Sequence, residues 1–256
     1  MKLLEKHHLS MNLSDVVAVL KQLAPPELAE DFDIGRIGLT LDLENDIQKI
    51  AVALDPTKYV LKRAAEIDAD MLVTHHTLIF HPLNFIRKPL ADILKIAMDN
   101  NISLYSMHTN FDKAKNGIND ALARRIGLSN IIDTTIGRIG TISPCPAETF
   151  VNHVAKSLNT HVQFTGQREE ISKVMVFGGS GFKDEYLSVA KEHGVDAYVS
   201  AELRHDVIRS WEDMLLIDAT HYATENPGMQ DLCPQLKERL RLDVEFIDHN
   251  PFIEVL

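Results

Sequence analysis

Short runs of aliphatic and β-branched residues alternate with stretches of helical periodicity along most of this chain. That alternation constrains the fold more than any other feature. Residues 47–54, 102–107, 174–177, 197–200, 214–219 and 244–247 read as strands, with Met71, Leu72 and Val73 as a short buried one. Residues 13–23, 57–67, 89–100, 117–126, 149–158, a segment ending at His193, 202–211 and 228–240 carry helical patterns. Ser14-Asp15 and Thr149 are candidate caps. Pro234 predicts a kink or a later start in the last helix. A strand–helix–strand rhythm of this kind predicts an α/β fold of mainly parallel mixed sheets with flanking helices. Around 131–146 the rhythm breaks into turn residues and short extended pieces, so two α/β lobes are expected. Their bounds are 1–132 and 133–256, and the C-terminal segment is free to pack back on the first lobe.

The 256 residues carry 26 basic and 37 acidic side chains, a net charge of −11. That balance disfavours broad binding to nucleic acid or to an anionic membrane. No run approaches the ~20 apolar residues of a membrane span. The opening MKLLEKHHLS breaks any apolar run with charge, so no signal peptide is expected. Two cysteines, Cys145 and Cys233, are too few for a disulfide framework or a thiolate zinc site, which fits a reducing cytoplasm.

Twelve histidines stand against one tryptophan, and their positions carry the functional reading. Three expected strands end in side chains that ligate metals, and open α/β folds place their sites at such ends. The first ends in Thr74-His75-His76, the second in Met107-His108-Thr109-Asn110-Phe111-Asp112, and the third in Thr220-His221-Tyr222-Ala223-Thr224-Glu225. His221 and Glu225 are four apart, which puts them on one face of a helical turn. Each segment alone also reads blandly, as a polar strand end, a turn or a surface pair. Their joint occurrence favours a metal site, and imidazole with carboxylate suits zinc, manganese, iron or nickel. Gly178-Gly179-Ser180-Gly181 after a strand reads either as a tight turn or as an anion-binding loop. His7-His8, His81, His153, His161, His193 and His249 receive no functional role.

These three segments, with Thr77-Leu78-Ile79-Phe80 and Tyr105-Ser106 beside them, resemble the GTP cyclohydrolase I type 2 or NIF-three-like family (NGG-one interacting factor three). Asp33-Ile34-Gly35-Arg36-Ile37-Gly38 and the glycine run are weaker matches. The resemblance covers nearly the whole chain. It implies a two-lobed fold, two divalent metal ions per subunit in the cleft between the lobes, and a ring-shaped homohexamer. Carried over by position, the metal ligands are His75, His76, Asp112, His221 and Glu225. The chain departs from the pattern at Thr77, where proline is usual, and at Ala201, where glycine is common. The second departure leaves the roles of Glu202 and His205 open.

Two divalent ions with two carboxylates and neutral imidazoles leave a positive site that attracts anions. Such a site lowers the pKa of bound water and so supplies hydroxide near neutral pH. The expected function is therefore a divalent-metal-dependent hydrolase, with hydroxide attacking a nucleotide or a phosphorylated small molecule. Asp112 or Glu225 is the candidate bridging carboxylate. His108 is the candidate catalytic residue, as a proton shuttle or as a support for the ligands. The alternative is a non-enzymatic, metal-binding hexameric scaffold or regulatory protein.

Overall fold

The computed structural model describes residues 9–251. The charged opening segment up to residue 8, with His7-His8, lies outside the described residues. The fold is mixed α/β. The chain divides into two compact units: one holds the residues up to Phe111 and resumes at Met229, and the other spans Asp112–Gly228.

The first unit is built on a five-stranded sheet in the order Asp243–Phe246, Lys49–Ala53, Met71–Thr74, Ser103–Ser106, Gly38–Leu41. The first four strands are parallel and the last is antiparallel. Met71–Thr74 and Ser103–Ser106 are buried throughout, because a central parallel strand is covered on both faces. Leu61 and Ala64 of helix Lys58–Glu66 and Ala97 of helix Lys88–Asp99 share a core with Ala51, Leu72 and Leu104 of the sheet. The Thr57 hydroxyl caps the first of these helices, accepting from the Val60 N–H at 3.2 Å. The single strand expected over 47–54 is split. Asp46–Ile47 pairs with Met11–Asn12, whereas Lys49–Ala53 joins the large sheet. Asp70 marks the break, its carboxylate accepting the N–H groups of Gln48 (2.8 Å) and Lys49 (2.9 Å).

The second unit holds a six-stranded sheet in the order Ser129–Asp133, Arg138–Pro146, Glu170–Ser180, Ala197–Ala201, Leu215–Asp218, Gln163–Thr165. The three strands Glu170–Ser180, Ala197–Ala201 and Leu215–Asp218 are parallel, and the others run antiparallel to their neighbours. The sequence shows only turns and short extended pieces over 131–146, but the structure has a hairpin with a nine-residue second strand. Arg138 hides the pattern. It is 2% exposed, and its guanidinium meets Asp120, Asp133 and the Lys113 carbonyl, so a charged residue occupies a core position. This hairpin explains why the division falls at Phe111 and Asp112 and not at the expected 132/133. Helix Ile118–Arg125 and the hairpin both build onto the second sheet: Leu122 and Ala123 share a core with Val174 and Val176. The return at Met229 follows from strand Asp243–Phe246 pairing with Lys49–Ala53.

Two helices differ from expectation. Glu202 has φ +65°, a left-handed conformation that cannot begin a helix, so the helix expected over 202–211 is His205–Ser210. The helix expected over 228–240 begins seven residues earlier and runs from His221 to Leu240 through Pro227 and Pro234. Residues 223–229 are buried, and that packing offsets the backbone hydrogen bond Pro227 cannot make.

Asp196 fastens the loop before strand Ala197–Ala201. It accepts from the N–H groups of Ser172 (3.0 Å) and Lys173 (2.9 Å) and from the Ser172 hydroxyl (3.0 Å). Partial burial works to raise its pKa, but these hydrogen bonds and the Arg168 charge outweigh it and hold the carboxyl below its ordinary value. Its stabilising contribution is complete above the unfolded-chain value of about 4 and is lost as pH falls through the lower folded value. Asp196→Asn should therefore cost about 1–2 kcal/mol near neutral pH. The gap to wild type should narrow in acid, as read from urea midpoints across pH. A gap that stays constant into strong acid would show that the charge is not involved.

Candidate metal centre

In the first unit the C-terminal ends of parallel strands deliver Asp55, His75, His76 and His108. Adjacent residues of a continuing strand would face opposite ways. Here the chain turns: the N–H groups of His75 and His76 both donate to the Leu54 carbonyl, at 3.2 and 3.0 Å. The two rings end up with centroids 5.0 Å apart, and His108 lies 5.1 Å from His75 and 5.8 Å from His76. Ligand atoms of His75, His76 and His108 come within 4.8 Å of one another, so the three can hold one ion. Thr77, where the family pattern has proline, closes the next turn by donating its hydroxyl to the Ile79 carbonyl at 2.9 Å.

Each of these rings has an oxygen acceptor at Nδ1. His75 Nδ1 lies 2.9 Å from the Met107 carbonyl and His76 Nδ1 lies 2.7 Å from Asp55 Oδ1. His108 Nδ1 lies 2.8 and 3.0 Å from the two Asp33 oxygens. Carbonyl and carboxylate oxygens only accept, so the hydrogen sits on Nδ1 and Nε2 carries the lone pair that a metal takes. Asp33 is fully buried and also accepts the N–H and hydroxyl of Thr109. Burial works to raise its pKa, but the hydrogen bonds it accepts from His108 and Thr109 hold it below the ordinary carboxylate value.

In the second unit Asp112 is the first residue, buried in the short helix Thr109–Lys113. His221 and Glu225 lie one turn apart at the start of helix His221–Leu240, with His221 Nε2 3.1 Å from Glu225 Oε1. Two donors of one ion, each about 2.0–2.2 Å from it, stand roughly that far apart. His221 Nδ1 has its own acceptor, Glu202 Oε1, at 2.7 Å. Partial burial and the Glu225 charge work to raise the Glu202 pKa. The hydrogen bonds that Glu202 accepts from His221 and Ser180 outweigh them and lower it. The role of Glu202, open at the level of sequence, is thus to orient His221. His205 is exposed at the first residue of its helix and takes no part in this pair.

The glycine run serves the same two side chains. Gly179 has φ +71°, and a Cβ on it would lie 2.1 Å from Glu225 Oε1 and 3.0 Å from His221 Nε2. The N–H groups of Gly178 and Gly179 donate to Asn119 Oδ1 (2.8 Å) and the Thr224 hydroxyl (3.0 Å), so they are not an anion cradle. A small residue is required because the strand end passes directly beneath the helix that presents His221 and Glu225. Thr220, immediately before that helix, also has a left-handed φ of +66°, unusual for a β-branched residue. Backbone strain of this kind collects where a side chain must be aimed.

Of the residues named from sequence, His75, His76 and His108 form one cluster in the first unit. His221 and Glu225 form another in the second, where Asp112 also lies. The acceptors Asp33 and Asp55 were missed, although Asp55 follows an expected strand as His75 does. Among the remaining histidines, His249 stacks on Tyr59 at 4.6 Å and His153 Nε2 lies 2.9 Å from the Ile126 carbonyl. Burial pushes the Cys233 thiol up to about 12, against a small opposing effect of Lys237, which leaves it an unreactive core side chain.

Gly179→Ala tests the geometry directly. The left-handed φ alone should cost about 1–2 kcal/mol, and the displaced Glu225 carboxylate adds to it. The drop is read from a denaturant midpoint, and an unchanged midpoint would contradict the close approach.

The sequence profile of the Duf34/NIF3 (NGG1p interacting factor 3) family matches residues 11–251. A protein of Methanocaldococcus jannaschii named GTP cyclohydrolase 1 type 2 homolog is 33% identical over 247 residues, covering 93% of this chain and 100% of the relative. One of the same name from Clostridium perfringens is 32% identical over 254 residues, covering 93% and 95%. Among solved structures, a Bacillus cereus protein related to NIF3 superposes with a TM-score of 0.88 at 21% identity, covering 96% of this chain and 99% of that one. Reduced HcgD from M. jannaschii superposes with a TM-score of 0.82 at 32% identity, covering 94% and 99%. No helix among the described residues is long and apolar enough to cross a membrane. With a profile match over nearly its whole length and relatives of this identity and coverage, the chain belongs to the Duf34/NIF3 family.

Proposed function

We propose that this protein is a divalent-metal-dependent hydrolase of a nucleotide or phosphorylated small molecule, with two ions held by His75, His76, Asp112, His221 and Glu225. The observation that carries the reading is the anchoring of the imidazoles. His75, His76, His108 and His221 each have an oxygen acceptor at Nδ1, three of them carboxylates. Metal-ligating histidines have this arrangement, which fixes the tautomer and makes the ring more basic. The Gly179 backbone, leaving room for His221 and Glu225 and for nothing larger than hydrogen, supports it.

When bound, such ions lower the pKa of water and stabilise negative charge developing on a substrate oxygen. The chain's own residues do the rest. Asp55 and Glu202 hold the rings of His76 and His221 in place. His108, fixed by Asp33 and outside the five proposed ligands, gives or takes a proton at its Nε2. Asp112 or Glu225 would be the carboxylate shared by the two ions. An anionic substrate and a homohexameric assembly belong to the same reading. GTP heads the panel of substrates to try, because the curated relatives carry the cyclohydrolase name.

The test is hydrolysis of a panel of nucleotides and phosphoesters by protein reconstituted with zinc, manganese, iron or nickel. Turnover that disappears on chelation is expected. Inactivity at full metal content would overturn the hydrolase and favour the scaffold. Glu202→Ala should weaken metal binding about 10–100-fold, with Glu202→Gln milder because its carbonyl still accepts from Nδ1. Glu225→Gln should weaken one ion more than the other, as measured by metal stoichiometry. Two ions held as tightly as in wild type would rule out Glu225 as the shared carboxylate.

A further inference from the structure

Arg36, Phe32 and Phe80 lie beside the histidine cluster of the first unit. In a chain with a net charge of −11, Arg36 has no carboxylate partner among the described residues. Its guanidinium carbon instead lies 4.3 Å from the centroid of the Phe80 ring. Phe80 in turn meets His108 edge-on, with centroids 6.2 Å apart. Phe32 stands 6.3 Å from both His108 and Phe80.

Both phenylalanines are substantially exposed, Phe32 at 43% and Phe80 at 39%. Each is nevertheless held in place. Phe32 is the middle residue of the short 3-10 turn Asp31–Asp33, and Asp33 is bonded to His108 and Thr109. Phe80 follows the turn closed by the Thr77 hydroxyl. Two exposed aromatic rings and a cation with no counter-ion among the described residues therefore share the rim of a cluster that could hold a metal. A guanidinium laid on an aromatic face keeps its N–H edge available, and that planar fork matches two oxygens of a phosphoryl group. An exposed phenyl face is a platform for a planar ring.

We infer that Arg36, held over Phe80, binds the phosphoryl group of the substrate, and that Phe32 stacks against a planar ring of the same molecule. This deepens the hydrolase reading and rests on it. It names the substrate class as a phosphorylated molecule that carries an aromatic or heteroaromatic ring.

The experiment is calorimetric titration of AMP and of ribose 5-phosphate into the full-length protein, metal-loaded and chelator-treated. Wild type should bind both, AMP more tightly. Arg36→Met should weaken both by about tenfold or more, the loss of a charge-assisted bidentate contact. Arg36→Lys, which keeps the charge without the fork, should fall between the two. Phe32→Ala should weaken AMP severalfold and leave ribose 5-phosphate unchanged. Melting temperature and metal content are read on every variant, and Arg36→Lys serves if Arg36→Met fails to fold. Failure of wild type to bind either probe would overturn the inference. So would wild-type affinities in Arg36→Met, or equal losses for both probes in Phe32→Ala. Unchanged binding in a variant with full metal content overturns this inference alone. A wild type that binds no metal overturns the hydrolase reading, while dependence of AMP binding on Arg36 is still read in that same protein.

Discussion

The structure depends on one repeated hydrogen bond: an imidazole Nδ1–H given to an oxygen. It occurs at His75, His76, His108 and His221, and the acceptors are a backbone carbonyl and three carboxylates. Each bond fixes a ring that could otherwise rotate about two side-chain torsions, and it decides which nitrogen faces outward. Much of the local architecture serves to put these acceptors in reach. Asp55 ends one parallel strand, His75 and His76 end the next, and the Met107 carbonyl and His108 end the one after. Parallel neighbours in close register bring their C-terminal ends side by side, so donor and acceptor meet without long loops.

The second unit solves the same problem with more strain. Three successive parallel strands end near Gly179, Glu202 and Thr220, all at positive φ. Glycine adopts that conformation freely, whereas glutamate and threonine do so at a cost of about 1–2 kcal/mol each. The distortion at Glu202 turns its side chain toward His221 and delays the next helix to His205. At Thr220 it lets helix His221–Leu240 begin at the strand end, with His221 in its first turn. The burial of residues 223–229 holds that helix against the missing N–H of Pro227.

Arg138 shows the same economy away from the site. A guanidinium buried to 2% exposure is tolerated because Asp120, Asp133 and the Lys113 carbonyl all receive it. Left without them, a charge at that depth would destabilise the hairpin that begins the second sheet. Its presence at the start of a strand, at a buried position, is also why the sequence there reads as irregular.

The sequence by itself determined the alternation of strands and helices, the mixed α/β class and which histidines and carboxylates are candidate metal donors. These are local signals: an apolar run of a few residues, a four-residue spacing, a histidine placed just after a strand. Only the tertiary structure decided which oxygen holds which ring, that the segment from Asp112 builds onto the second sheet, and that the strand after Leu240 returns to the first. Asp55 lies 21 residues from His76, Asp33 lies 75 from His108, and Glu202 lies 19 from His221. No periodicity spans such distances. An acidic residue in a loop looks the same in sequence whether it faces water or an imidazole, and the packing of strand ends decides which.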